Sequence, residues 1–213
     1  MKKRKYGRGT KISRKSVHID VDVEIGENVI IHDNVIIKGK SIIEDNVEIF
    51  PGTEIYNSKI GKGTTIKSSF IEEAEIGKSN TIGPFTRIRK GTVTKEEVYL
   101  GSFVEVKNSE IASMTKASHL SYIGDSTIGE KVNIGCGVVF VNYNGKQKQR
   151  SVVGDGAFIG SNCNIIAPVT IGDRAYICAG TTITKNVEKE SFVIGRVRQE
   201  EKQGGAVRYL DKE

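Results

Sequence analysis

Val153-Gly-Asp-Gly-Ala-Phe-Ile159-Gly-Ser-Asn-Cys-Asn-Ile165-Ile-Ala-Pro-Val-Thr-Ile171-Gly-Asp-Arg-Ala-Tyr-Ile177-Cys-Ala-Gly-Thr-Thr-Ile183 places an aliphatic anchor at every sixth residue. The same period runs back through the chain. Ile25, Ile31, Ile37, Ile43, Ile49 and Ile55 keep it strictly, and Ile60 to Ile88 and Leu100 to Ile134 keep it with five-residue steps interspersed. A small or β-branched residue often stands four places after each anchor, as Val29 does after Ile25 and Cys163 after Ile159. A six-residue period is neither the 3.6 of an amphipathic helix nor the 3.5 of a coiled coil. It reads as short strand, turn, short strand, and a fixed internal period of this kind means a solenoid. Three hexads close a triangular coil of about 18 residues, stacked on the next at the inter-strand spacing of about 4.8 Å.

Working outward, composition agrees. The 213 residues hold 28 Ile and 21 Val but only 3 Leu, with no Trp. Branching at Cβ favours strands, whereas Leu and Ala favour helices, so a helical bundle and a doubly wound α/β fold are both excluded. The expected fold is all-β: a parallel β-helix of roughly nine coils over residues 17–184. The step of 19 from Ile134 to Val153 is irregular, and the polar stretch 141–151, with its Asn144-Gly145 turn signal, reads as a loop extruded from a corner. Residues 185–213 read as a charged tail able to reach a neighbouring subunit.

The net charge of +6 divides unevenly. Residues 1–16 carry eight cations and no acid, which leaves 24 basic against 26 acidic residues in the body. The basic arm is compatible with a solvated tail or junction, and also with a tether to nucleic acid or a membrane surface. The expected partners of the body include neither nucleic acid nor a membrane, since no run approaches about 18 apolar residues. Cys136, Cys163 and Cys178 match no zinc spacing, and their odd number argues against a disulfide framework. A reduced, cytoplasmic setting is the expectation.

In a solenoid, residues one coil apart share a column. Arg89 and Lys107 are one coil apart, and each follows an anchor (Ile88, Val106), so they should stack. Two stacked cations suit a phosphate or carboxylate, and equally a solvated face. His119 takes the third, turn-facing place of its hexad, and Cys136 takes the third place one coil further on, so it should sit above the histidine. Ser161 and Ala179 hold the same place in later coils, so small residues leave a groove beside the histidine. No phosphate-binding glycine loop or nucleophile elbow competes. His18 and His32 lie about five coils from His119, which excludes a three-histidine metal site; no metal is expected.

Gly83-Pro-Phe-Thr-Arg-Ile-Arg89, Gly101-Ser-Phe-Val-Glu-Val-Lys-Asn108, Thr115-Lys-Ala-Ser-His-Leu-Ser-Tyr-Ile-Gly-Asp125, Val132-Asn-Ile-Gly-Cys-Gly137, Val141-Asn-Tyr-Asn-Gly145, Ile166-Ala-Pro-Val-Thr-Ile-Gly172 and Ala179-Gly-Thr-Thr-Ile-Thr184 occur in that order. Together they resemble the C-terminal acetyltransferase domain of the bifunctional glucosamine-1-phosphate acetyltransferase/N-acetylglucosamine-1-phosphate uridylyltransferase family. The similarity is dense from Gly83 to Gly204, and residues 17–82 resemble it only as generic repeats. The resemblance implies that the β-helix is left-handed and trimeric, with sites between subunits. It implies acetyl transfer from acetyl-CoA to the amine of glucosamine 1-phosphate. His119 would be the general base, a role suited to a side chain type that titrates near neutrality. Arg89 and Lys107 would grip the phosphate, with Tyr122, Asn133, Asn142, Tyr143 and Lys148 contacting the sugar phosphate. Cys136, Ser161 and Ala179 would line the pantetheine arm, and Arg196 would meet the CoA phosphates.

Four positions depart from the family pattern: Lys90 for a frequent Pro, Ser118 for Gly, Cys136 for Ala and Asn144 for Asp. No nucleotide-binding region precedes the repeats, so uridylyl transfer is not expected from this chain. Two other readings stay open: a hexapeptide acetyltransferase for another amino sugar or sugar nucleotide, and a non-catalytic β-helix scaffold.

Overall fold

A computed structural model describes residues 6–13 and 15–210. The chain winds as a left-handed parallel β-helix whose three faces are stacks of short strands. One face stacks eleven strands from Lys11–Ile12 to Phe192–Val193, the second ten from His18–Ile19 to Thr182–Ile183, and the third nine from Glu24–Ile25 to Thr170–Ile171. Two long strands, Tyr99–Lys107 and Lys116–Gly124, run through a corner and belong to both of the first two faces.

The anchors point inward. Ile37, Ile43, Ile49, Ile55, Ile60, Ile66, Ile71, Ile82 and Ile88 are fully buried and stack as ladders along the axis. One anchor in six is enough because the prism is narrow, and each buried Ile removes apolar surface worth roughly 1.5–3 kcal/mol from water. The fourth-place residues close the interior with short hydroxyls that hydrogen-bond upward. Ser58 N donates to Ser41 Oγ (3.2 Å), Ala74 N to Ser58 Oγ (3.1 Å), Ser126 N to Ser109 Oγ (3.0 Å) and Val132 N to Thr115 Oγ1 (3.0 Å). Pairing makes these buried hydroxyls tolerable; among the described residues Thr53 Oγ1, Thr92 Oγ1 and Ser151 Oγ are buried without a partner.

The helix is longer at both ends than the sequence reading allows. That reading makes residues 1–16 an arm, yet Tyr6 bridges Ile25, and Lys11–Ile12 pair with Ile30–Ile31. Ile12 is the anchor of this first coil, and the exposed Arg8, Lys11 and Lys15 around it conceal it. Residues 1–5 of that arm lie outside the described residues. At the other end Val187 bridges Ile171, and Phe192–Val193 pair with Tyr176–Ile177, so the repeat ends past Thr184. Beyond it the chain runs without strands to a short helix, Val207–Leu210.

The 141–151 loop falls where expected. The step from Asn133 to its partner Phe158 is longer than a coil, whereas that from Lys116 to its partner Asn133 is a single coil. Val141 and Ser151 are still in strands, so the extruded part is 142–150. Among the described residues no helix is long and apolar enough to cross a membrane.

Candidate functional site

The strand Lys116–Gly124 turns a corner at Leu120, whose φ is +46°. His119, immediately before it, lies on that corner and pairs in register with Ser102 of the coil below. The column expected above it is present. Ala117 pairs with Ile134, which sets Cys136 over His119; Asn162 N then donates to Cys136 O (2.7 Å) and Gly180 N to Ser161 O (2.8 Å). Arg196 Nη1 donates to Ala179 O at 2.9 Å. His119, Cys136, Ser161, Ala179 and Arg196 therefore follow one edge of the prism. Gly137 has φ +73°, and a Cβ there would lie 2.1 Å from Asn162 Oδ1, so this position beside Cys136 suits glycine.

The same corner carries a feature the repeat does not announce. Phe85, Phe103 and Leu120 all have positive φ (59°, 60° and 46°) and are more than half exposed, and the two phenyl rings stack 5.5 Å apart. Bulky residues rarely adopt this conformation, and holding one there costs about 1–2 kcal/mol. An apolar ridge thus runs up the edge beneath and beside His119.

On the face leading away from His119 stand the phosphate candidates. Arg87 pairs with Glu105 and Ile88 with Val106, which stacks Arg89 on Lys107 as expected; Lys107 in turn pairs with Gly124. Tyr122 sits on Glu105 in the next column. At the far edge, Asp125 is buried and accepts hydrogen bonds from Asn108 Nδ2 and Asn142 Nδ2. Gly124 leaves room for this cluster: a Cβ there would lie 2.5 Å from Tyr122 Oη and 2.8 Å from Asn142 Nδ2.

The extruded loop returns Lys148 to this edge, where it meets Lys107. That contact is the chief reason the Lys107 ammonium titrates below its ordinary range, with burial adding to it and Asp125 opposing. Burial pushes the Asp125 carboxyl upward, but the bonds from Asn108 and Asn142 and the charges of Lys107 and Lys148 outweigh it. Its pKa lies below the usual value. Arg89 pairs with Glu105 (Nη1–Oε1 2.9 Å), so one of the three cations is partly neutralised and the two lysines are the underpaired ones.

Of the expected site residues, Arg89, Lys107, Tyr122, Asn142 and Lys148 are gathered on one face and its edge, and His119 with the small-residue column holds the opposite edge. Asn133 is not among them within one chain: it lies on the neighbouring face, between Lys116 and Phe158. Tyr143 is exposed on the loop, with its hydroxyl donating to Gly145 O (2.7 Å). Glu105, Asn108, Asp125 and Arg150 make contacts around these candidate residues and were missed. Asp125 was accessible to the column arithmetic, since it stands one coil after Asn108 and beside the column of Lys107.

Residues 150–185 match the family described as bacterial transferase hexapeptide (six repeats), and residues 7–111 match the GMPPB C-terminal domain. The chain is 45% identical over 203 residues to the bifunctional protein GlmU of Clostridium botulinum, covering 95% of this chain and 44% of that protein. It is 47% identical over 195 residues to the GlmU of Clostridioides difficile, covering 92% and 42%. The chain thus spans less than half the length of these curated relatives, and the similarity includes the N-terminal coils that the motifs alone left as generic repeats. The Arabidopsis UDP-N-acetylglucosamine acyltransferase shares the fold, with a TM-score of 0.51 at 14% identity over 83% of this chain and 68% of that one. The resemblance expected from the motifs is borne out: the chain is a relative of the bifunctional protein GlmU, built on the bacterial transferase hexapeptide repeat.

Proposed function

We propose that the chain transfers the acetyl group of acetyl-CoA to the amine of glucosamine 1-phosphate, in the cytoplasm and as a homotrimer. The observation that carries this reading is the convergence of Arg89, Lys107 and Lys148 at one edge of a face whose other edge holds His119. From Leu120, where the chain turns beside His119, to Gly124, the residue stacked on Lys107, the face is about 13 Å wide at roughly 3.3 Å per residue. Side chains reaching in from both edges narrow this gap to the scale of a phosphorylated amino sugar.

His119 takes a proton from the sugar's amino group as the nitrogen attacks the thioester carbonyl. The C–N bond forms, the C–S bond breaks and CoA leaves as its thiol. A positioned base of this kind contributes roughly 10²–10⁴-fold. A phosphate dianion between Lys107 and Lys148 relieves the repulsion that lowers the Lys107 pKa, so binding and electrostatics favour the same ligand. The small residues Cys136, Ser161 and Ala179 fit a thin pantetheine arm, and Arg196, with donors to spare beyond its bond to Ala179, fits its phosphates. The ridge of Phe85, Phe103 and Leu120 supports a trimer, since a neighbour would cover it beside His119 and bring in groups such as Asn133.

Thiol release from acetyl-CoA, followed with glucosamine 1-phosphate, free glucosamine and other amino sugars, tests the reading. Turnover should require the phosphate, and His119→Ala should lower kcat about 10²–10⁴-fold. Turnover on a non-phosphorylated sugar alone would point to another acceptor. No transfer to any amine would favour the scaffold.

A further inference from the structure

The loop 142–150 carries three of the proposed substrate contacts, so what holds it in place matters as much as the contacts. Internally it is a small hairpin. Tyr143 bridges Lys148, Asn144 Oδ1 accepts from Lys146 N and Gln147 N (both 2.9 Å), and Gln149 N donates to Asn142 O (2.8 Å). None of these bonds attaches it to the β-helix. On its first limb the attachment is Asn142, whose amide reaches Asp125 and, at 3.4 Å, Tyr122 Oη.

On its second limb the attachment is Arg150. Nε donates to Thr127 Oγ1 (2.9 Å), Nη2 to Ser126 O (3.0 Å) and Nη1 to Asn108 O (3.3 Å), and Nη2 lies 3.8 Å from Glu110 Oε1. Asn108 and Glu110 belong to one coil and Ser126 and Thr127 to the next, so one guanidinium spans two coils at the corner where Asp125 sits. The planar fork of five donors matches acceptors spread in this way, and a lysine ammonium cannot reach all three.

We propose that Arg150 is a positioning residue: its guanidinium pins the return limb of the loop to two coils and so presents Lys148 and Asn142 to the sugar phosphate. This rests on the reading of the loop as part of the sugar-phosphate site. Without the pin the loop samples open states, and apparent affinity falls in proportion to the fraction still competent. Arg150 touches no reacting atom, so the chemical step in the bound complex is unaffected.

The test pairs kinetics with hydrogen exchange on the full chain. Arg150→Ala should raise KM for glucosamine 1-phosphate by about tenfold while kcat and KM for acetyl-CoA hold. Arg150→Lys should recover part of the loss, and Thr127→Val, which removes one acceptor, should shift the same KM less. The Gln149 amide should exchange faster in Arg150→Ala, with the core amides unchanged. Unchanged exchange at Gln149 overturns the inference whatever the enzyme acts on, as does a fall in kcat with KM constant. Wild-type protein inactive on glucosamine 1-phosphate would instead overturn the proposed reaction, leaving the exchange result to decide whether Arg150 holds the loop.

Discussion

Removing the Asp125 carboxylate is the most exacting perturbation of this site. The group is 6% exposed and accepts from the amides of Asn108 and Asn142, the latter itself only 9% exposed, with Lys107 and Lys148 nearby. A hydrogen bond to a charged group contributes about 1.5–3 kcal/mol net, and a buried amide left without its partner costs about 1–3 kcal/mol. Against these stands the cost of burying the carboxylate itself, which truncation recovers. Asp125→Ala should therefore cost about 3 kcal/mol, or roughly 6–12 °C in melting temperature for a domain of this size. Asp125→Asn keeps one oxygen acceptor but turns an N–H toward an amide donor, and should cost about half as much.

The pH dependence gives the sharper check. The folded pKa of Asp125 is lowered, so its stabilisation is fully present above the unfolded value, about 3.9, and fades as pH falls through the lower folded value. The melting gap between wild type and Asp125→Asn should accordingly persist from pH 7 down to about pH 4 and close only below it. Thermal melts followed by circular dichroism across that range suffice. No gap at pH 7, or a gap that closes well above pH 4, would refute the assignment of Asp125 as an ionised anchor.

Two further outcomes follow from the same geometry. Of the three thiols, Cys163 and Cys178 are buried and burial pushes the Cys163 thiol up, whereas Cys136 is half-buried on the His119 edge. Titration with an aromatic disulfide reagent should modify Cys136 alone in the folded protein, and CoA should slow it; modification unaffected by CoA would move the pantetheine path elsewhere. Because the Lys107 pKa is lowered, the lysine loses its charge at a pH below that of an ordinary lysine. KM for the sugar phosphate should rise on the alkaline side, and Lys107→Gln should remove that rise along with most of the affinity; an alkaline limb that survives the substitution belongs to another group.

The repeat was legible because a β-helix imposes its period directly on the chain. An inward Ile at every sixth place means burial, and residues one coil apart must share a column. That rule alone places Arg89 below Lys107 and sets Cys136, Ser161 and Ala179 over His119. It failed at the ends for a different physical reason. Charge reports which side chains face water, not whether the backbone is paired, so the cations around Ile12 masked a coil that pairs with Ile30–Ile31.

What remained hidden at the site divides in the same way. Glu105 and Asp125 were within reach of the arithmetic, one preceding Val106 and the other standing one coil after Asn108, beside Lys107. Counter-ions of cations are visible, however, only when both signs in a column are read together. Arg150 was beyond it. The extruded loop breaks the period between Asn133 and Phe158, so no spacing relates Arg150 to Asn108, Ser126 or Thr127, and only the folded geometry brings them together. The groups of the proposed site therefore come from two kinds of order. Arg89, Lys107 and His119 are fixed by the solenoid's own repeat, whereas Asn142, Tyr143 and Lys148 depend on two local anchors, Asp125 and Arg150, set at one corner. A site built this way can change its acceptor by altering the loop and its anchors while the edge that carries His119 and the small-residue column stays unchanged.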